Sequence, residues 1–148
     1  LVVVSEPGDD IEQLAVTLGH IDESGCVVQV GFDPQGVGAI VDALAQRGIG
    51  RERVVGISQG WTLTGAIKTT ERKLADGSFR HGGQPIMAWS ASNAKVEPRG
   101  NAIIITKQAA GYLKIDPLMA TFNAVSLMSR NPEAEEQSIY ERDALWVG

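Results

Sequence analysis

Residues 26–48 read CVVQVGFDPQGVGAIVDALAQRG and set the pattern of the fold. An apolar run over residues 26–32 predicts a strand, and the turn that opens at Asp33 leads into a helical pattern continuing to about Arg47. Another short strand is predicted at residues 54–58. This alternation favours an α/β fold with parallel neighbouring strands and helical crossovers, in which functional residues collect at the carboxyl ends of the strands. Asp33 is expected at such an end.

Other segments carry weaker signals of the same kind. A helix is predicted over residues 9–18 and closed by Gly19, and Cys26 is predicted to be a small core residue. The three tryptophans, Trp61, Trp89 and Trp146, are most simply explained as packing residues. The remaining predicted elements are a helix at residues 62–75 with Leu63, Ile67 and Leu74 inward, a helix at 85–96 and an extended run at 101–106.

The second informative stretch is GYLKIDPLMATFNAVSLMSR, residues 111–130. Apolar residues recur at helical spacing after Asp116, and Pro117 is a favoured first helical residue, so the last helix is predicted to begin at Asp116. Asp33 and Asp116 thus both stand at element ends and both precede a proline.

Two interpretations of these aspartates stay open. Aspartate before a helix is a favoured N-cap, which accepts a backbone N–H bond. Alternatively, carboxylates that converge in space hold Mg²⁺ or Mn²⁺, and such ions in pairs cleave phosphodiesters. A third acid is normally needed. Asp9, Asp10 and Glu6 are more simply explained as the first turn of a helix, where acids complement the helix dipole.

Charge is segregated along the chain, although the net charge is only −5. Residues 1–46 hold eight acids and no Lys or Arg, whereas residues 47–114 hold eleven Lys or Arg and four acids. The basic middle is a candidate surface for a polyanion. Its candidate contacts to a DNA backbone, with plain solvated charge as the alternative, are Arg80, His81, Lys107 and Lys114.

Composition bounds the function. With 148 residues, 43% of them hydrophobic, the chain is the size of one domain with a real core. No apolar run approaches the roughly 20 residues of a membrane span, so a cytoplasmic protein is expected. There is no GxxxxGK[ST] phosphate loop, no CxxC pair and no HExxH motif, which excludes an ATPase site and gives no support to a zinc site within the chain.

Several segments, taken in order, resemble the large terminase subunit of tailed double-stranded-DNA phages. They are VGFDPQGVGAIVDAL (30–44), GISQGW (56–61), GSFRHGGQPIMAWSASNAKVEP (77–98) and KQAAGYLKIDPLMATFNAVSLM (107–128). The resemblance covers about residues 25–130 and implies the C-terminal nuclease domain, with an RNase H-like mixed sheet flanked by helices. Residues 1–130 would then form the partial nuclease domain and residues 131–148 an acidic C-terminal extension.

The resemblance also implies a chemistry and partners. The family's nuclease domain cuts concatemeric phage DNA during packaging, using two Mg²⁺ or Mn²⁺ ions held by three acids, of which Asp33 matches the second and Asp116 the third. The implied partners are double-stranded DNA, the small terminase subunit, the portal of the procapsid and further copies of the large subunit, in the cytoplasm of the host bacterium.

One part of the family pattern is missing from the sequence. The first acid of the family lies on the opening strand in a Gly-x-Asp context, and nothing before Asp33 resembles it. We therefore expect the chain to be N-terminally truncated, with that strand before Leu1 and the activity of the fragment itself in question. A junction resolvase or related RNase H-like nuclease, and a non-catalytic interaction module, are the alternatives.

Overall fold

Helices and strands alternate through the first half of the chain, as the sequence predicts. The structure is a computed structural model that describes residues 8–108 and 112–130. Its helices and strands are α1 (Asp9–Glu23), β1 (Val30–Phe32), α2 (Gly38–Gln46), β2 (Val54–Gly56), α3 (Thr64–Ala75), α4 (Pro85–Ser92), β3 (Ala94–Arg99), β4 (Ala102–Lys107) and α5 (Asp116–Met128). Short 3-10 turns at Arg51–Arg53 and Gly60–Leu63 precede β2 and α3.

The described strands form two pairs. β1 and β2 are parallel, with Val30 opposite Val54 and Phe32 opposite Gly56, and α2 makes the crossover between them. This confirms the predicted parallel neighbours. β3 and β4 form an antiparallel hairpin in which Ala94 lies opposite Lys107.

Side chains of β1 and β2 alternate between two cores, as the period of a strand requires. On one face, Val30, Phe32 and Val54 pack with α1 and α2 around the fully buried Ala15, Leu44 and Ile49. On the other face, Val55 and Ile57 join a core whose buried members also include Leu63, Ala66, Ile67, Phe122, Val125 and Leu127. The parallel pair is therefore the middle of three layers, with α1 and α2 outside one face and α3 and α5 outside the other.

A glycine on β1 lets α5 approach the sheet closely. A Cβ atom at Gly31 would lie 2.9 Å from Cδ1 of Leu127 and 3.1 Å from Cγ1 of Ile57. Both distances are shorter than ordinary van der Waals contact, so only glycine fits at this position without a shift of its neighbours.

The first predicted strand is shorter than expected, and Cys26 is exposed rather than buried. The reason is visible in the hydrogen bonds. Arg53 donates from its guanidinium to the carbonyl oxygens of Val27 and Val28, so these carbonyls are satisfied by a side chain instead of a neighbouring strand. The segment before Val30 is thus a connection tied down by Arg53.

The end of the first helix was also wrongly predicted at Gly19. The helix continues to Glu23, and Gly25, with φ of 72°, supplies the left-handed residue that ends it and donates to the carbonyl of Asp22 at 2.8 Å. Gly19 instead lies inside α1, where a Cβ atom would be 3.7 Å from Cβ of Arg47. Gly19 therefore lies at the position on α1 that faces the C-terminal end of α2.

Three further predictions need correction. The helix expected at residues 85–96 ends at Ser92, because the chain there turns into β3 and pairs with β4. Trp61 and Trp89 are 69% and 45% exposed, so they are not core packing residues, and Leu74 is exposed on α3. Trp146 and the predicted extension at 131–148 lie outside the described residues, as does Glu6.

None of the helices in the described part of the chain has the length and apolar character needed to cross a membrane.

Candidate active site

Asp33 lies at the carboxyl edge of the parallel pair, the edge at which β1 and β2 both end. It directly follows Phe32, whose carbonyl accepts the backbone N–H of Ile57 at 2.8 Å. The parallel register therefore extends one step beyond the strands and puts Asp33 level with Ile57. The carboxylate is exposed, and Oδ1 accepts the backbone N–H of Gln35 at 3.1 Å. This bond shapes the turn and holds the side chain at the edge.

Asp116 is the first residue of α5 and is also exposed. Its carboxylate has no hydrogen bond or ion pair with any residue in the ranges 8–108 and 112–130. The predicted start of the last helix at this residue is confirmed.

Two contacts establish how α5 runs over the sheet. Leu127 packs on Gly31 in the middle of β1. One turn earlier in α5, Oδ1 of Asn123 accepts a bond from Nε2 of Gln59 at 3.2 Å, and Gln59 lies beyond the carboxyl end of β2. The N-terminus of α5 therefore points toward the carboxyl edge, and Asp116 extends past Asn123 by two helical turns, about 10 Å.

The N-cap interpretation of the two aspartates is wrong. α2 begins at Gly38, five residues after Asp33, and its N-cap is Val37 without a side-chain bond. The N-cap of α5 is Ile115, and Asp116 lies inside the helix without a capping bond. Both carboxylates keep lone pairs that no described donor uses.

The donor chemistry fits a hard divalent cation. Carboxylate oxygens are the ligands that Mg²⁺ and Mn²⁺ prefer, and no Lys, Arg or His of the described residues is paired with either aspartate. The set is not complete within the described ranges, where no group of three or more His, Cys, Asp or Glu side chains could hold a metal ion.

The structure brings the two predicted lysines to the segment that carries Asp116. Nδ2 of Asn93 donates to the carbonyl of Lys114 at 3.0 Å, and the Asn93 carbonyl accepts the backbone N–H of Gln108 at 2.9 Å. Asn93 thus ties the end of β4, where Lys107 lies, to the residues just before Asp116. Both lysines are exposed.

Arg80 and His81 are exposed in the loop between α3 and α4, where Nδ1 of His81 accepts the backbone N–H of Gly83 at 3.1 Å. No described hydrogen bond or ion pair links either side chain to Asp33 or Asp116.

Three residues that support the site were missed as functional residues. Gln59 bonds Asn123, Asn93 bonds Lys114, and the fully buried Ser90 accepts the backbone N–H of Leu118 at 3.2 Å. Ser90 and Asn93 are three residues apart, so they share one helical face, and small polar residues at that spacing in an otherwise apolar segment were the available signal.

The described residues form an α/β domain in which helices cover both faces of a parallel pair and acids lie at its carboxyl edge and at the start of a helix packed on it. Its fold is similar to the RNase H-like fold of terminase nucleases. The family model of the terminase large subunit, endonuclease domain, matches residues 7–132, and the chain belongs to that family.

The fold comparison agrees. The crystal structure of the large terminase of bacteriophage HK97 is similar with a TM-score of 0.66 and 22% sequence identity over 79% of this chain. The chain corresponds to 24% of the length of that terminase. No curated protein matched the sequence. The family match favours the terminase interpretation over the junction resolvases that the sequence left open.

Proposed function

We propose that this chain is the DNA-cutting domain of a phage packaging terminase and that Asp33 and Asp116 are two of its metal ligands. The observation that carries the proposal is the direction of α5. Because Leu127 packs on the middle of β1 and Asn123 bonds Gln59, the start of α5 points to the edge at which Asp33 lies. Membership of the terminase endonuclease family supports a hydrolase acting on DNA phosphodiesters.

The roles follow from the chemistry of the groups. Asp33 and Asp116 would hold Mg²⁺ or Mn²⁺ together with a third acid that is not among the described donors. The chemistry supplied by a pair of such ions when bound is activation of a water molecule and stabilisation of the leaving 3′-oxygen. Lys107 and Lys114 would neutralise DNA phosphates beside Asp116, and Arg80 and His81 would bind the backbone further along.

The wider role belongs to the whole large subunit. We propose that it cuts concatemeric DNA during genome packaging, together with the small terminase subunit and the portal of the procapsid, and that it packages as a homo-oligomer in the host cytoplasm. Residues 1–130 would be the nuclease domain and residues 131–148 an acidic extension.

Cleavage of supercoiled plasmid by the complete large subunit tests the proposal. Asp33→Asn and Asp116→Asn are each expected to reduce the Mg²⁺- or Mn²⁺-dependent cleavage rate by about 100-fold or more, since each removes a charged ligand. Asp42→Asn is the matched control, because Asp42 is an exposed acid on α2 that pairs with Arg51 at 2.6 Å. Unchanged cleavage in both site variants would remove the assignment.

A further inference from the structure

The start of α5 carries a sequence that should cap itself. In Asp116-Pro117-Leu118, the aspartate precedes a proline suited to the first helical position, and an aspartate cap would accept the backbone N–H of Leu118. In the structure Ile115 is the N-cap and Asp116 is already the first helical residue, and the Ile115 carbonyl accepts the N–H of Met119 at 3.0 Å.

The donor that an Asp116 cap would use is taken by another helix. Oγ of Ser90, on α4, accepts the N–H of Leu118 at 3.2 Å, and Ser90 is fully buried. Three residues further along the same face, Nδ2 of Asn93 donates to the carbonyl of Lys114 at 3.0 Å. These two bonds lie on either side of Asp116: Asn93 bonds Lys114, two residues before it, and Ser90 bonds Leu118, two residues after it.

We propose that Ser90 is a positioning residue for the candidate active site: by capping α5 in place of Asp116, it keeps that carboxylate free for a divalent cation. A free helix N–H and a metal ion compete for the same carboxylate oxygens, because both attract negative charge. Ser90 removes the competing N–H, because its hydroxyl oxygen accepts the N–H of Leu118. Asn93 holds the carbonyl of Lys114, two residues before Asp116, so the backbone is tied on both sides of Asp116. The inference rests on the proposed function for the part that concerns the metal.

The test compares Ser90→Ala with Ser92→Ala in the full chain. Ser92 lies on the same helix but is exposed, and its hydroxyl donates to the carbonyl of Trp89, within α4. The first measurement is made without metal. A crystal structure of Ser90→Ala is expected to show the Asp116 carboxylate accepting the N–H of Leu118, with that amide still protected from hydrogen exchange.

The second measurement is Mn²⁺ titration followed by paramagnetic broadening of the NMR signals around residue 116. Ser90→Ala is expected to raise the half-saturating Mn²⁺ concentration about tenfold, the scale found when a group that orients a metal ligand is removed. Ser92→Ala should titrate like the unmodified chain. In the complete large subunit, excess Mn²⁺ should restore cleavage by Ser90→Ala, which a loss of folded protein would not allow.

The outcomes separate the two proposals. If Ser90→Ala leaves Asp116 uncapped and its Mn²⁺ midpoint equal to that of Ser92→Ala, the role of Ser90 is refuted. If neither the unmodified chain nor the complete large subunit shows a saturable Mn²⁺ effect near Asp116, the metal-site proposal fails, while the metal-free structure still decides whether Ser90 displaces Asp116 from the cap. Ser90→Cys, nearly the same size with a weaker acceptor, is expected to shift the midpoint in the same direction and serves if Ser90→Ala does not fold.

Discussion

Gln59 donates from Nε2 to Oδ1 of Asn123 at 3.2 Å and, from the same nitrogen, to the carbonyl of Ile57 at 2.7 Å. Asn123 is 7% exposed. One amide thus joins the segment that leaves β2 to the middle of α5. Since Ile57 is level with Asp33 and α5 carries Asp116, this pair fixes α5 against the segment that runs beside Asp33.

Removing either side-chain amide should destabilise the domain, and the two decreases in the free energy of unfolding should not be additive. Gln59→Ala and Asn123→Ala are each expected to lower the free energy of unfolding by about 1–3 kcal/mol, because a hydrogen-bonding group is left without its partner at a shielded position. The double variant should cost less than the sum of the two by about 0.5–1.5 kcal/mol. Urea denaturation measures all three. Asn101→Ala, at an exposed turn, is the control, and strict additivity would show that the pair contributes no coupling.

Gly31→Ala should be destabilising by about 1–3 kcal/mol, because the added methyl group overlaps Leu127 and Ile57 and forces α5 away from β1. Thermal unfolding is a sufficient measurement. Gly65→Ala is the matched control, since a Cβ atom there meets nothing within 4 Å and alanine is the better helix former in α3. A Gly31→Ala protein as stable as the Gly65→Ala protein would contradict the close approach of α5.

The ion pair between Asp22 and Arg53 makes the free energy of unfolding dependent on pH. Hydrogen bonding to Arg53 lowers the pKa of Asp22 below its ordinary value of 3.8, and this effect, helped by the positive charge of Arg53, outweighs the partial burial that opposes it. The side chains are 21% and 25% exposed. Because the folded-state pKa is the lower one, the stabilisation is complete above the ordinary value and is lost as the pH falls through the folded-state value.

Asp22→Asn is therefore expected to be less stable than the unmodified chain at pH 6, by about 1–2 kcal/mol. The difference should shrink as the pH is lowered below about 4. Urea denaturation at a series of pH values measures both. Asp42→Asn breaks a pair whose side chains are 62% and 74% exposed, so it should change stability little at any pH. A difference between the Asp22→Asn and unmodified proteins that is constant with pH would contradict the assigned pair.

The parallel pair, the crossover helix α2 and the start of α5 could be predicted from the sequence, because each depends on local periodicity and turn residues. The positions where tertiary contacts override local preference could not be predicted from the sequence. Val27 and Val28 lie in an apolar run yet outside β1, because Arg53 takes the carbonyls that a strand partner would use, and Cys26 just before them is exposed.

The candidate site shows the same division. Asp33 and Asp116 could be singled out from their own neighbours. The N-cap interpretation of Asp116, one of the two that the sequence leaves open, is wrong, and Ser90 on a different helix accepts the N–H that such a cap would use. The local pattern around Asp116 does not predict that the N–H of Leu118 bonds Ser90, which lies 28 residues earlier in the chain. That information exists only in the packing of α4 on α5.

Lys114 offers a test of the proposed DNA surface that does not depend on cleavage. If its ammonium group neutralises a phosphate, Lys114→Ala should weaken binding of linear duplex DNA by a similar factor for unrelated sequences. The plot of log Kobs against log salt concentration should become less steep by about one unit. Fluorescence anisotropy in EDTA, at several salt concentrations, measures the slope without hydrolysis. Lys68→Ala removes the same charge from the exposed side of α3 and should leave the slope unchanged. Equal slopes for the Lys114→Ala, Lys68→Ala and unmodified proteins would place the DNA elsewhere.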